Sequence, residues 1–343
     1  MKRRTLKYIG ISILIYIFLC LTTPFCKLLR NRSIKNQIHY LSGILDKGYD
    51  DELQSRFPEG KLFSNSLLAL SIIEFCERNE IVQEKYSIIV DNCIKRIQSE
   101  RALSVFNPNI QPKYGMFYNG WSNYVYTTYK RSQLYRLSAI QDIVDNQSKK
   151  IEDRLIKTQT DSLRILDSYI NANWPADNFI GIISLTDDSI KQRWVNTILN
   201  ATEHPSGLVH HSGRDKSKIR GSSSAMITFC LKELGDNRAD EYNKIFRETF
   251  IDEYLGIQLV KENENGSNVM DRDSGPVILG YGASATIMNI KTQGRTNSVK
   301  SKFTWAAMNI ISLPVNIFKR KYYLMKKEPM FDLFMLWGSV ELN

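Results

Sequence analysis

The chain has 343 residues, of which 43% are hydrophobic and 24% charged, a composition typical of globular rather than disordered proteins. Its net charge of +10 comes largely from basic residues beside apolar stretches, at 2–35 and 319–327. A nucleic-acid-binding protein carries such charge on its folded domain, between aromatic side chains. We therefore expect no nucleic-acid partner. The five cysteines form no C-x-x-C pair and no even spacing, so we expect no metal, no disulfide framework and no cofactor.

Residues 8–26 form the first predicted element, because these nineteen positions carry no charged side chain and lie between basic flanks. A helix that crosses a membrane needs about 20 apolar residues. No small-residue cleavage site follows, which favours an uncleaved signal anchor over a cleaved signal peptide. We assign 1–32 to a single-pass membrane anchor in the lipid bilayer and 33–343 to one domain. Equal numbers of basic residues lie on the two sides, so charge does not decide the orientation of the segment. As is usual for N-terminal anchors, we expect the domain outside the cytoplasm.

Beyond residue 35 the sequence has helical periodicity and no convincing run of strand-like alternation. Some predicted helices are apolar on every side, at 67–76, 179–185, 225–231 and 277–288. Others carry one apolar stripe, formed by Val82, Tyr86, Val90, Cys93 and Ile97, or by Tyr242, Ile245, Phe246, Phe250 and Tyr254. A helix that is apolar all round must be covered on every side, whereas a striped helix faces water. The alternation predicts an all-α fold, an (α/α)6-type toroid of helical hairpins behind an N-terminal transmembrane helix.

Long connections rich in glycine, proline or aromatic residues occur at 107–121, 171–177, 203–221 and 256–276. Three of them precede one of the apolar helices, and the first leads into a predicted helix at 122–141. Connections that precede successive inner helices lie at the same end of a set of antiparallel hairpins. We therefore expect all of these connections to meet on one face of the toroid.

Two of these connections carry candidate catalytic carboxylates. Asp177 follows Trp174 in NANWPADN, and Asp273 ends the MDRD run before Ser-Gly-Pro. If their side chains converge, Asp177 and Asp273 form a general acid/base pair. Trp174 then serves as a platform for a flat or sugar-like ligand, and Asp271 contributes to substrate binding. The alternative is structural, with both aspartates stabilising the start of a helix.

The other two connections carry candidate binding residues. Arg220 and Ser222 lie at the predicted helix start in IRGSSS. Free N–H groups, the helix dipole and the guanidinium favour a carboxylate or phosphate there, unless the serines only cap the helix. The run YGMFYNGWSNY places Tyr114, Tyr118 and Trp121 together. These aromatic residues either line a ligand cleft or pack over the end of the ring.

Five short motifs carry a family resemblance: YNGW (118–121), WPADN (174–178), RGSS (220–223), DRDSGP (271–276) and PMFDLFMLW (329–337). With these motifs the chain resembles a bacterial family of membrane-anchored helical-toroid proteins of poorly defined function, over most of its length after about residue 60. It is more distantly similar to the (α/α)6 toroids of glycan hydrolases, lyases and sugar epimerases. Linalool dehydratase-isomerase has a similar toroid, but the cysteine pair expected in its site has no counterpart here.

These observations favour a membrane-anchored cell-envelope enzyme that uses acid/base carboxylates on a glycan or lipid-linked substrate. One alternative is a dehydratase or isomerase of a small apolar alcohol, because the predicted inner helices carry few charges and the domain is expected to lie close to the membrane. Another is a non-catalytic toroid that binds a glycan or serves as a scaffold. Near the C-terminus, the segment 316–327 predicts a helix after Pro314, whose basic face contacts either water or anionic headgroups.

Overall fold

The computed structural model describes residues 2–161, 164–215, 218–270, 274–295 and 298–342. Helices account for 65% of the described residues, and the few strands among them are short. The all-α character expected from the sequence is confirmed at this level.

In chain order the helices are α1 (Lys2–Thr22), α2 (Lys27–Leu45), α3 (Tyr49–Arg56), α4 (Gly60–Arg78), α5 (Glu84–Ile97), α6 (Glu100–Leu103), α7 (Gly115–Arg131), α8 (Gln141–Asp161), α9 (Pro175–Ile183), α10 (Asp188–Thr202), α11 (Gly221–Glu233), α12 (Ala239–Phe250), α13 (Ala283–Gln293), α14 (Ser298–Ser312) and α15 (Pro329–Val340). Short 3-10 turns cover Gln133–Leu137 and Leu324–Lys326. The strands form antiparallel hairpins of β1 (Ile251–Tyr254) with β2 (Ile257–Val260), β3 (Val277–Ile278) with β4 (Tyr281–Gly282), and β5 (Val315–Ile317) with β6 (Arg320–Tyr322).

The enclosed helices pack against one another in a closed cycle. Taken in chain order, α4, α7, α9, α11, α13 and α15 each pack against the next, and α15 packs against α4. On their outer sides, α5 packs on α4, α8 on α7, α10 on α9, α12 on α11, α14 on α13 and α2 on α15. Helix α4 is buried along most of its length, whereas α5 buries one stripe and exposes the rest. The two kinds of helix seen in the sequence therefore occupy different positions.

A glycine allows the closest approach between α7 and α9. A Cβ atom at Gly120 would lie 3.1 Å from the backbone nitrogen of Gly181 and 3.2 Å from the backbone oxygen of Asp177. Any side chain there would push the two helices apart, since both neighbouring atoms are backbone. The first turn of α9 is thus held directly against α7.

The helix predicted at 277–288 begins later than expected. Helix α13 starts at Ala283, and the preceding residues form the β3–β4 hairpin. Leu279 and Gly280 have positive φ angles of 52° and 82°, which an α-helix does not allow. A Cβ atom at Gly280 would lie 2.4 Å from the backbone oxygen of Gly266, so two chain segments cross here. Apolar composition alone did not reveal this turn.

Short strands replace predicted helical segments at two further places. Helix α12 ends at Phe250, and Tyr254, which we placed on its apolar stripe, lies in β1. The segment 316–327 is also no helix, because it contains the β5–β6 hairpin. Its turn residues Phe318 and Lys319 both have positive φ, at 48° and 61°. Two such residues in a two-residue turn form the type I′ geometry that suits a tight hairpin.

The N-terminal helix α1 lies against α14. The Tyr16 hydroxyl donates to the backbone oxygen of Ile310 at 2.9 Å, and the rings of Phe25 and Phe303 lie 5.1 Å apart. Among the described residues, no single helix is long and apolar enough to cross a membrane. Tyr8–Thr22 and Lys27–Leu45 satisfy the length and composition criteria together, but they are bent by 98°.

A buried ion cluster joins three helices at the end of the cycle where α4 and α13 finish. The Lys291 ammonium contacts the carboxylates of Glu74 and Glu341, the latter at 2.9 Å, and Lys291 and Glu341 are both buried. Burial alone would raise the pKa of Glu341, but Lys291, Arg78 and Arg295 together lower it to about 2. The carboxylate is therefore ionised at neutral pH, and its stabilising contribution is lost only as the pH falls towards that value.

We predict that Lys291→Met lowers the free energy of unfolding by about 3 kcal/mol, because it leaves buried carboxylates without their central cation. Chemical denaturation of the purified protein measures this loss. The matched control is Lys300→Met, since Lys300 pairs with Glu253 at the surface. Its loss is expected to stay below about 1 kcal/mol. Equal losses in the two variants would contradict a special role for the buried cluster.

Candidate functional site

A cleft of about 660 Å³ opens where the helices of the closed cycle begin. Each of these helices contributes lining residues from its first turns, among them Phe63, Trp121, Ile180, Met226, Met288 and Phe334. Most of the lining is aromatic or aliphatic. The helix starts direct their free N–H groups and the positive ends of their dipoles towards this end of the domain. The cleft therefore has a mainly apolar lining, with the positive ends of helix dipoles at the same end of the domain.

The segments we expected to meet do contribute to this cleft. Among the predicted site residues, those that line it are Trp121, Trp174, Asp177, Arg220 and Ser222. Gly275 and Pro276 line it as well. Asp271 and Asp273, which directly precede this Ser-Gly-Pro segment, lie outside the described residues.

Two predicted ligand-binding tyrosines are not part of the cleft lining. Tyr118 is buried and packs edge-on against Tyr114, with ring centroids 5.5 Å apart. Burial raises the pKa of Tyr118 to about 12, so its phenol is neutral at physiological pH. Both belong to an aromatic cluster at the start of α7, together with Phe106 and Phe117. For these two residues the packing alternative describes the contacts better than ligand binding does.

Asp177 lies in the first turn of α9, after Pro175 at the first helical position. Proline suits this position because its missing N–H has no helical partner there. The carboxylate of Asp177 accepts a hydrogen bond of 2.6 Å from the hydroxyl of Ser168, and its side chain is half-buried at the cleft wall. It thus has both a positioning partner and access to the cleft, which a general acid or base requires.

Arg220 is held by a buried carboxylate that the sequence did not reveal. Its Nε lies 3.3 Å from Oε1 of Glu262, and both side chains are buried. The hydroxyl of Ser222 donates to the same oxygen at 2.7 Å. Gly221 allows this contact, because a Cβ there would lie only 2.0 Å from the backbone oxygen of Lys261. Glu262 balances the charge of Arg220, which weakens our expectation that Arg220 captures an anion.

The same arginine orients His211. Nη1 of Arg220 lies 3.2 Å from Nε2 of His211, and Nδ1 of His211 lies 2.7 Å from the hydroxyl of Ser223. An arginine only donates, so Nε2 accepts and the proton of the neutral ring is assigned to Nδ1. The ring then donates to Ser223, whose own proton is directed elsewhere. His211 and Ser223 both line the cleft, so its polar wall contains a hydrogen-bonded relay from Glu262 to Ser223.

Glu262 carried no usable signal in the sequence. It follows β2 in the run KENENG and stands forty positions from Ser222. From the sequence alone, Glu262 and Glu264 in this run are both expected to face solvent. His211 shares its connection with His204 and His210, and the sequence does not distinguish among them. Within the described part of the chain, no group of three or more His, Cys, Asp or Glu residues is arranged to hold a metal ion.

A second cavity of about 580 Å³ lies at the opposite ends of α4, α7, α9 and α11. Its lining contains both acidic and basic side chains, including Glu74, Asp188, Arg78 and Arg295. None of the predicted site residues lines it.

The chain matches no protein-family model and no curated protein.

The apolar lining predicts binding of a medium-chain alcohol such as decanol in the cleft. Binding should shift the emission of Trp121 and Trp174 in a saturable way, because both indoles line the cleft. Met226→Trp, which fills the cleft, should weaken the affinity by about tenfold or more. Fluorescence titration measures both effects.

The control for this titration is Ile143→Trp, because Ile143 lies on the exposed face of α8. This variant should bind decanol like the unaltered chain. Unsaturable emission changes, or equal affinity in the Met226→Trp variant, would contradict binding in the cleft.

Proposed function

We propose that this chain is a membrane-anchored cell-envelope enzyme that acts on a lipid-linked substrate through acid/base carboxylates. The observation that supports this most is the composition of one cleft, which joins a broad aromatic and aliphatic surface to a narrow polar wall. Ligand sites are commonly apolar clefts with a few placed polar groups. A substrate with an apolar chain and a polar reacting group matches both parts. A free glycan matches only the polar wall and the aromatic platforms.

In this proposal Asp177 exchanges a proton with the reacting group, and Ser168 holds its carboxylate in position. Asp273 remains the proposed partner carboxylate, with Asp271 near it in sequence, because both lie within four positions before the cleft-lining Gly275. Trp174 supports the substrate from the side of α9. The Arg220–His211–Ser223 relay orients a hydroxyl towards bound substrate, which strengthens contacts to its polar end.

We also propose that the domain is an (α/α)6 toroid of the family that the sequence motifs resemble. The closed cycle of contacts among enclosed helices, each with an outer partner, supports this architecture. The clustering of helix starts around one cleft supports it too, because toroid enzymes commonly place their sites at one end of the ring.

The N-terminal segment is proposed to anchor this domain in the membrane, with the domain outside the cytoplasm. Many apolar side chains of α1 are exposed, including Tyr8, Leu14 and Phe18, which supports contact with lipid. Basic residues flank the segment on both sides, as they do beside anionic headgroups. The bend of 98° after α1 turns the chain from the proposed anchor into α2, which packs on α15.

A dehydratase or isomerase of a small apolar alcohol is the second candidate, since the apolar lining suits such a substrate as well. The two candidates differ in what they convert. The first requires a long-chain lipid carrier, and the second turns over a free short-chain alcohol. Both use a proton donor at the cleft wall.

We predict that Asp177→Asn abolishes conversion, by about 100-fold or more, because asparagine keeps the shape but cannot transfer the proton. The assay incubates the protein with total membrane lipids, or with short-chain alcohols, and identifies products by mass spectrometry. Ser168 can still donate to the asparagine oxygen, so the free energy of unfolding should change by less than about 1 kcal/mol. Asp273→Asn tests the proposed partner in the same assay.

The matched control is Asp188→Asn. Asp188 also lies in the first turn of a helix, but it lines the cavity at the other end of the domain. This variant should retain full activity. Unchanged conversion by Asp177→Asn would exclude its acid/base role. If the unaltered protein converts none of these compounds, the non-catalytic alternative is favoured.

A further inference from the structure

The tight hairpins of this chain carry large apolar side chains at their turns. Two-residue turns join β1 to β2, β3 to β4 and β5 to β6, and their first residues are Leu255, Leu279 and Phe318. Their side chains are 98%, 81% and 90% exposed. All three residues have positive φ, between 48° and 52°. Neither the backbone nor packing within the domain explains these residues.

Sequence preference makes the pattern informative. A type I′ turn favours asparagine, aspartate or glycine at its first position, since these residues tolerate positive φ. Leucine and phenylalanine are unfavourable there, and full exposure to water adds to the disadvantage. The same combination recurs at all three described hairpins. A nonaqueous neighbour at each turn removes the cost of exposure to water, because the side chain is then buried.

We propose that these hairpin turns contact the bilayer and hold the domain against the membrane surface beside α1. The structure links two of them to α14, which itself packs on α1. At one end, a Cβ at Gly256 of the β1–β2 turn would lie 3.5 Å from the ring of Phe303, which packs against Phe25 of the N-terminal segment. At its C-terminal end, α14 is followed by Leu313 and, one residue later, by β5 of the β5–β6 hairpin.

The third hairpin is connected to the first. The hydroxyls of Tyr254 and Tyr281 lie 3.1 Å apart, and Lys261, just after β2, pairs with Tyr281 of β4. Ile278 of β3 and Val299 and Ile311 of α14 are also exposed apolar residues on these elements. The exposed side chains therefore belong to elements that contact one another in sequence, namely α1, α14 and the hairpins.

Charge complements this apolar surface. Lys27 lies beside the end of α1, Lys319 lies in the β5–β6 turn and Arg320 follows it, all with exposed side chains. Lysine and arginine beside apolar insertions attract anionic lipid headgroups. The partner is therefore an anionic bilayer rather than another protein, and the turns act as interfacial anchors.

This arrangement also places the cleft near the lipid. The β3–β4 hairpin begins at Val277, immediately after Gly275 and Pro276 of the cleft lining. A bilayer in contact with Leu279 lies next to that side of the cleft. Entry of a lipid-linked substrate from the bilayer rests on the proposed function, whereas contact of the turns with lipid does not.

The test uses the full chain with Cys26→Ser, since Cys26 is exposed and the other four cysteines are buried. Leu255→Cys, Leu279→Cys and Phe318→Cys each receive a fluorescent label, and the protein is reconstituted in phosphatidylcholine and phosphatidylglycerol vesicles. Part of the lipid carries a doxyl quencher on the upper acyl chain. Interfacial side chains insert about 5–10 Å, so quenching should reduce emission by about twofold or more.

The matched control is Ile143→Cys on α8, whose native side chain is exposed and apolar. Helix α8 packs on α7, away from α13 and α14. Its label should be quenched only weakly. If the label at position 255, 279 or 318 is quenched no more than the label at 143, the proposal is overturned. Quenching measures location alone, so an inactive protein that shows it would refute the proposed function and leave the bilayer contact standing.

Discussion

The fold depends on one constraint, which is that a helix without a polar face must be covered on every side. Helices α4, α9 and α11 are of this kind. They satisfy the constraint because each packs between two other enclosed helices of the closed cycle. The striped helices then cover the outside. Because each enclosed helix begins at the same end of the domain, the connections before them converge there. The cleft follows from this arrangement rather than from any single loop.

The two ends of the domain differ in their electrostatics for the same reason. Helix starts carry partial positive charge and helix ends carry partial negative charge. At the end where the helices finish, Lys291 and Arg295 meet Glu341 in a buried cluster. At the cleft end, Glu262 balances Arg220. The lining of the cleft is therefore left mostly apolar, with a few polar side chains such as Asp177 and Ser223.

The sequence predicted the helical class, the enclosed helices and the convergence of residues such as Trp174 and Arg220, because these follow from periodicity and loop placement. It did not predict the hairpins. The turn at Leu279 requires positive φ at a residue that normally avoids it, and the close passage of Gly266 is a long-range contact. Glu262 was missed because its role depends on distant partners, Arg220 and Ser222. Tyr118 was assigned to the ligand, since composition does not distinguish packing from lining.

The central claim is that the cleft at the helix starts receives the apolar part of a lipid-linked substrate. Photo-crosslinking tests it most directly, with a long-chain alcohol that bears a diazirine on its chain, incorporated into vesicles with the full chain. Peptide mass spectrometry then locates the attachment sites. The account predicts adducts at cleft residues such as Phe117, Met226 and Phe334, reduced by competition with unlabelled alcohol. Adducts confined to α1 and the exposed hairpin turns, with none in the cleft, would contradict it.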